Sequence, residues 1–177
     1  MSRIESLSNV AGPEPDGPDD FATKDYVDGL VDLPQVAYRR SATVSVANNS
    51  HQLLTWTTRD YAYGTWETAS TSTVTIPENG LYRIYVAGQL AKSATVDGYM
   101  QFTVTKNESS VSVDAIFATG QSFAGTMGAE ALAQGWSAPM EMESGDVLRV
   151  FCYQLTGASR DLSVRGDVPV FAVERVR

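Results

Sequence analysis

Residues 71–91, TSTVTIPENGLYRIYVAGQLA, alternate on either side of a Pro-Glu-Asn-Gly turn. Val74 and Ile76 share one phase before the turn; after it, Leu81, Ile84 and Val86 mix with Tyr82 and Tyr85. Successive side chains on a strand point to opposite faces. A period of two carried by β-branched and aromatic residues, punctuated by Pro77 and Gly80, therefore predicts two antiparallel strands joined as a hairpin. No other feature limits the fold as much.

The chain repeats this grammar from about Val36 onward. Residues 35–40 and 42–47 are short strand candidates, and residues 53–68 alternate imperfectly through Trp56, Tyr61, Tyr63 and Trp66. Residues 98–120 predict a second hairpin: Met100, Phe102 and Val104 oppose Tyr99, Gln101, Thr103 and Thr105, and a turn follows at 106–110. Residues 121–135 are poor in large side chains and hold Gly125 and Gly128, which predicts a connection or a weak strand. A tight Ser-Gly-Asp turn precedes a long strand ending near Gln154, and residues 168–176 supply the last strand. Eight to ten short strands separated by turn signals fit an all-β sandwich of the jelly-roll kind.

The first 33 residues differ in composition. They hold eight acidic and two basic side chains, hence −6 of the chain's formal charge of −8. Residues 11–20 carry three prolines, two glycines and four acidic groups, too little apolar surface to offset the entropy of ordering. Residues 1–20 are accordingly expected to be an extended acidic arm. Residues 21–34 predict a short helix capped by Asp20, with Phe21, Tyr26, Val27 and Leu30 along one stripe and Pro34 ending it. So short a helix is marginal alone. Its stripe is expected to lie against the β-domain or to form a trimer collar and linker.

Charge also limits partners. The near-neutral body offers no concentrated basic surface, so nucleic acid is not an expected partner. No stretch has the length needed for membrane insertion as a helix, and the N-terminus lacks the apolar core of a secretion signal, so synthesis in a cytoplasm is expected. The lone Cys152 sits in an apolar strand and is expected to be a buried free thiol.

Four phrases together resemble a known family. Residues 75–88 (TIPENGLYRIYVAG), 142–154 (MESGDVLRVFCYQ) and 171–176 (FAVERV) are similar to core elements of C1q/TNF-like jelly-roll domains, especially those on bacteriophage virion proteins. Residues 22–29 (ATKDYVDG) resemble a phrase that precedes shafts and tip domains of phage tails. The resemblance implies that residues 35–177 form a C1q/TNF-like jelly roll of two five-stranded sheets. It also implies a homotrimer about a threefold axis with aromatic residues at its centre, and exposed apical loops. The chain departs from the family pattern in having neither a collagen-like segment nor a long coiled coil before the domain.

Candidate sites follow. Trp56, Tyr61, Tyr63 and Trp66, with Trp136 later, have three readings: sandwich core, trimer interface, or a sugar platform. His51 lies in turn-like sequence without a nearby Cys or second His, so a structural role is expected. No nucleophile elbow, phosphate-cradling loop or clustered metal-ligand set appears, so neither enzymatic activity nor a cofactor is expected. Asp97, Asp114, Asp146, Asp161 and Asp167 flank turns or strand ends and read as solvated carboxylates, with calcium as the alternative.

The function expected is that of a structural component of a bacteriophage virion. A trimeric knob would be held to other virion structural proteins, at the tail or the capsid, through its N-terminal arm, with Phe21, Tyr26, Val27 and Leu30 as anchoring residues. The alternative is a host-surface adhesin that recognises cell-wall glycan through apical loops.

Overall fold

A computed structural model describes residues 33–67, 70–91, 98–111, 115–123, 131–164 and 169–176. The arm expected over 1–20, the helix expected over 21–34 and its stripe of Phe21, Tyr26, Val27 and Leu30 lie outside the described residues. The exceptions are Leu33 and Pro34, which lead into the first strand.

Among the described residues the regular structure is all β, in thirteen strands. These are β1 (Gln35–Arg39), β2 (Val44–Val46), β3 (Ser50–Leu53), β4 (Thr58–Tyr63), β5 (Val74–Thr75), β6 (Gly80–Leu90), β7 (Gly98–Lys106), β8 (Ala115–Phe123), β9 (Ala131–Trp136), β10 (Met140–Met142), β11 (Val147–Leu155), β12 (Arg160–Ser163) and β13 (Val170–Arg175). The number exceeds the expected eight to ten because β2, β5 and β10, of two or three residues each, are too short to show an alternation of their own.

Two antiparallel sheets result. In the first, β4, β1, β13 and β6 are successive neighbours; β6 pairs β13 and then β12 along one edge, and β10 and then β9 along the other. β2 extends this sheet beside β12. In the second, β3 and β5 share one edge of β11, followed by β7 and β8. The two sheets meet again where Thr119 Oγ1 on β8 donates to the Gln134 carbonyl on β9.

The core lies between the sheets and follows their parity. Tyr38, Ile84, Val86 and Phe171 point inward from one; Met100, Phe102, Val104, Leu148 and Val150 point inward from the other, and all are fully buried. Buried tyrosines keep their hydroxyls satisfied, as burial of a polar tip requires. Tyr38 donates to the Glu67 carbonyl at 2.8 Å and Tyr82 to that of Glu78 at 2.9 Å. Burial first, then the Glu67 carboxylate, pushes the Tyr38 phenol up to about 12, so it stays a donor at physiological pH. Gly88 is needed at its place in β6: a Cβ there would stand 2.3 Å from Cζ of Phe102. Cys152 is a buried free thiol, and burial pushes it up to about 12, so it is neutral and unreactive near pH 7.

The predicted hairpin over 71–91 is not one. β5 pairs β11, with Val74 opposite Leu148, while β6 belongs to the other sheet, so the Pro-Glu-Asn-Gly segment carries the chain across the sandwich. Ile76 N–H donates to the Asp146 carbonyl and Gly145 N–H returns a bond to Ile76. The partners that satisfy this backbone therefore come from the 143–146 turn, about seventy residues away in the sequence. The second predicted hairpin is present: β7 pairs β8 throughout its length.

Both ends of the sandwich are tied by side chains. At the end where the chain enters, Arg175 N–H donates to the Pro34 carbonyl and the Arg175 guanidinium pairs with Glu78 at 2.9 Å. Asp146 organises the same end. Its carboxylate accepts from Glu143 N–H (2.9 Å), Asn107 Nδ2 (2.8 Å) and Lys106 Nζ (3.2 Å). At the far end the buried Gln154 amide donates to the carbonyls of Val46 and Ala158 and accepts from Thr156 Oγ1.

Candidate functional site

The register of the first sheet places side chains from five strands in one outward row. Tyr61 stands opposite Ala37, Ala37 opposite Ala172, Ala172 opposite Tyr85, and Tyr85 opposite Trp136. Neighbouring strands are about 4.8 Å apart, so the row crosses about 19 Å of sheet. Aromatic rings stand at its ends and alanines form its floor. Ala37 and Ala172 face outward by register and are nonetheless buried.

The rings themselves are not covered. Trp136 and Tyr63 are each 50% exposed and Tyr61 45%. Tyr85 packs against Trp136 with ring centroids 4.9 Å apart, and its hydroxyl donates to Gln134 Oε1. The Arg83 guanidinium lies 5.2 Å from the Trp136 ring centre, a cation–π contact that fixes the indole. Leu132 projects from β9 on the same face, two positions beyond Gln134. A cluster of this size with apolar rings in water is unusual on a free sheet surface, where outward positions are normally polar.

Charge on this face is internally compensated. Arg83 pairs with Glu174 in the row Tyr63–Gln35–Glu174–Arg83, and Arg39 pairs with Asp60 at 2.7 Å. Partial burial, then the carboxylates of Glu174 and Asp60, raise the Tyr61 phenol above its usual range. The face thus presents phenols, an indole and closed ion pairs.

Of the four aromatic residues singled out in the sequence, the structure brings only Tyr61 and Tyr63 to this face. Trp56 is 1% exposed and stacks on Phe171 with centroids 5.5 Å apart; Trp66 is 8% exposed and donates Nε1–H to the Tyr63 carbonyl. Both are core residues and neither lines an open face. Neither belongs to β4: Trp56 bridges Thr71, and the Trp66 indole folds back on the Tyr63 carbonyl. Sequence reasoning missed Tyr85. Its signal was the outward parity it shares with Arg83, opposite the phase of Tyr82 and Ile84.

The remaining candidates resolve as follows. His51 lies in β3, not in a turn; the turn ends two residues earlier, at Asn49, which takes φ 55°. Its ring packs on Tyr153 at 4.8 Å. Burial opposes ionisation of Asp146, but the Glu143 N–H, Asn107 and Lys106 outweigh it and hold the carboxyl below its ordinary value. Its oxygens are engaged by donors, which is the arrangement of a structural anion. Asp161 is exposed on β12; Asp97, Asp114 and Asp167 lie outside the described residues. Among the described residues no three His, Cys, Asp or Glu side chains are grouped to hold a metal.

No family model and no curated protein matches the chain. Solved structures do. Eiger TNF from S. frugiperda superposes with a TM-score of 0.59 at 14% identity, over 82% of this chain and 93% of that one. A murine APRIL crystal structure at pH 5.0 gives 0.60 at 14% identity over 81% and 99%. The globular domain of the zebrafish complement 1qA protein gives 0.53 at 11% identity over 81% and 98%. At such identities the likeness concerns the fold, and the fold is a jelly-roll β-sandwich of the C1q/TNF type.

Proposed function

We propose that the chain is a non-enzymatic structural knob that assembles as a homotrimer through the aromatic row of its first sheet. The observation that carries this reading is the row itself: Tyr61, Tyr85 and Trp136 on one face, half-exposed at its ends, over an alanine floor. Its two ends differ in chemistry. Contact of one protomer's Trp136 end with the next protomer's Tyr61 end is heterologous, and a threefold rotation closes such contacts into a ring. Tyr, Trp and Arg are the side chains that dominate protein interfaces, and all three occur here.

The knob's place is a bacteriophage virion, to which residues 1–33 attach it. This part of the reading is supported by residues 22–29 and by the acidic, proline-rich composition of the segment before them. An arm that orders on binding suits a basic groove, and three arms on one trimer act together through effective concentration. Deleting residues 1–33 is expected to leave a folded trimer that no longer joins particles. Incorporation at the normal level would end the attachment reading, and a dilute, folded monomer in a mass measurement would end the trimer reading. Binding of host glycan is a second reading, favoured by a separate set of rings on the other sheet.

A further inference from the structure

The outward face of the second sheet carries its own aromatic cluster, at the end of the sandwich remote from Pro34. The register sets His51, Tyr153, Gln101 and Gly120 in one row, and Leu155, Tyr99 and Ser122 in the next. The His51 and Tyr153 rings are 4.8 Å apart, and Tyr153 and Tyr99 6.3 Å. Tyr153 donates its hydroxyl to Asn49 Oδ1 at 2.8 Å, which holds the ring from its tip. From Val147, at the entry end, to Tyr153 the strand rises about 20 Å.

Gly120 shapes the surface. A Cβ there would stand 2.5 Å from the Tyr99 hydroxyl and 2.9 Å from its Cζ. The tip of the Tyr99 ring therefore lies over Gly120, and the side chain is partly exposed. The two rows contain no Asp, Glu, Lys or Arg. What they offer is ring faces, an imidazole, a carboxamide and hydroxyls. A phosphate or a cation finds no countercharge here. A flat-sided molecule with C–H groups on its faces and neutral hydroxyls at its rim finds both kinds of partner.

We propose that His51, Tyr153 and Tyr99 form a binding platform for a neutral pyranose sugar, which stacks on the tyrosine faces. Gln101, Asn49 and His51 hydrogen-bond its hydroxyls. The site lies on the sheet opposite the aromatic row, so its occupancy does not depend on self-assembly.

The test is saturation-transfer NMR on the full chain with neutral hexaoses of glucose, galactose, mannose and N-acetylglucosamine at millimolar concentration. Transfer to ring C–H protons of at least one is expected. Tyr153→Ala should weaken that binding about tenfold, the equivalent of one lost ring stack. His51→Ala, at an exposed position, should weaken it severalfold with the thermal midpoint unchanged, and covers the case in which the Tyr153 variant fails to fold. Absence of transfer to all four sugars, or transfer unaltered in both variants, overturns the proposal. A monomer that binds sugar would refute the trimer and leave the platform standing; a trimer indifferent to all four would do the reverse.

Discussion

Replacing Trp136 with alanine tests the assembly face at the point where the structure gives a magnitude. A tryptophan offers up to about 250 Å² of surface, and Trp136 is 50% exposed, so about 125 Å² is left for a partner to cover. At about 25 cal/mol per Å², full coverage contributes about 3 kcal/mol at each protomer–protomer contact. A partner that covers between half and all of that area gives about 1.5–3 kcal/mol, or about 10- to 150-fold in the dissociation constant of each contact. Every contact in a cyclic trimer loses the same ring. Sedimentation equilibrium from micromolar to nanomolar concentration should therefore show the variant dissociating at far higher concentration than the parent. The thermal midpoint of the dissociated protomer should be unchanged, because the side chain removed is not part of the core. A variant that dissociates at the parent's concentration would refute the reasoning, since it would place the indole outside any contact.

Two further substitutions probe the sandwich. Gly88→Ala inserts a methyl group 2.3 Å from the Phe102 ring, which is fully buried and has nowhere to move. A destabilisation of about 1–3 kcal/mol with an unchanged m-value in urea is expected, and a gain in stability would show the two sheets to be farther apart than described. The Asp146 carboxyl is held below its unfolded value, so its contribution is present above pH 4 or so and disappears as the pH falls through the folded value. Asp146→Asn should cost about 1–3 kcal/mol at pH 7 and flatten the acid limb of the stability profile; an acid limb unchanged in steepness would assign that limb to other carboxylates.

The sequence revealed strands where alternation was long and strict. In β7, Met100, Phe102 and Val104 declare the buried face without help, and β7 pairs β8, the next strand in the chain. In 71–91 the same local signal was present, but which strand each half pairs with is not encoded in its own period. Val74 finds Leu148 and β6 finds β13, and both choices are settled by distant residues. Trp56 and Trp66 were ambiguous because their stretch alternates imperfectly; both lie outside β4, one held by a bridge to Thr71 and the other by the Tyr63 carbonyl. The aromatic row was hidden for a related reason. Tyr61, Tyr85 and Trp136 are far apart in sequence, and only two intervening alanine strands bring them to one level.

Those alanines also argue for what the face is for. A solvated outward position in an antiparallel sheet gains most from Thr, Lys or Glu, which cover the backbone and keep the surface soluble. Ala37 and Ala172 do neither, and their smallness leaves a channel between tall rings. A surface under no demand beyond solubility has no use for that profile. One that receives the ring edge of a neighbouring copy does, because a ring lying between the two rims covers the exposed halves of Tyr61 and Trp136. Ala172→Arg is the corresponding perturbation. It fills the channel with a charge that has no free carboxylate at its own level of the sheet, and it should abolish trimerisation more completely than loss of Trp136. An arginine tolerated there, with assembly intact at micromolar protein, would mean that the channel stays open to water and that the protomers meet elsewhere.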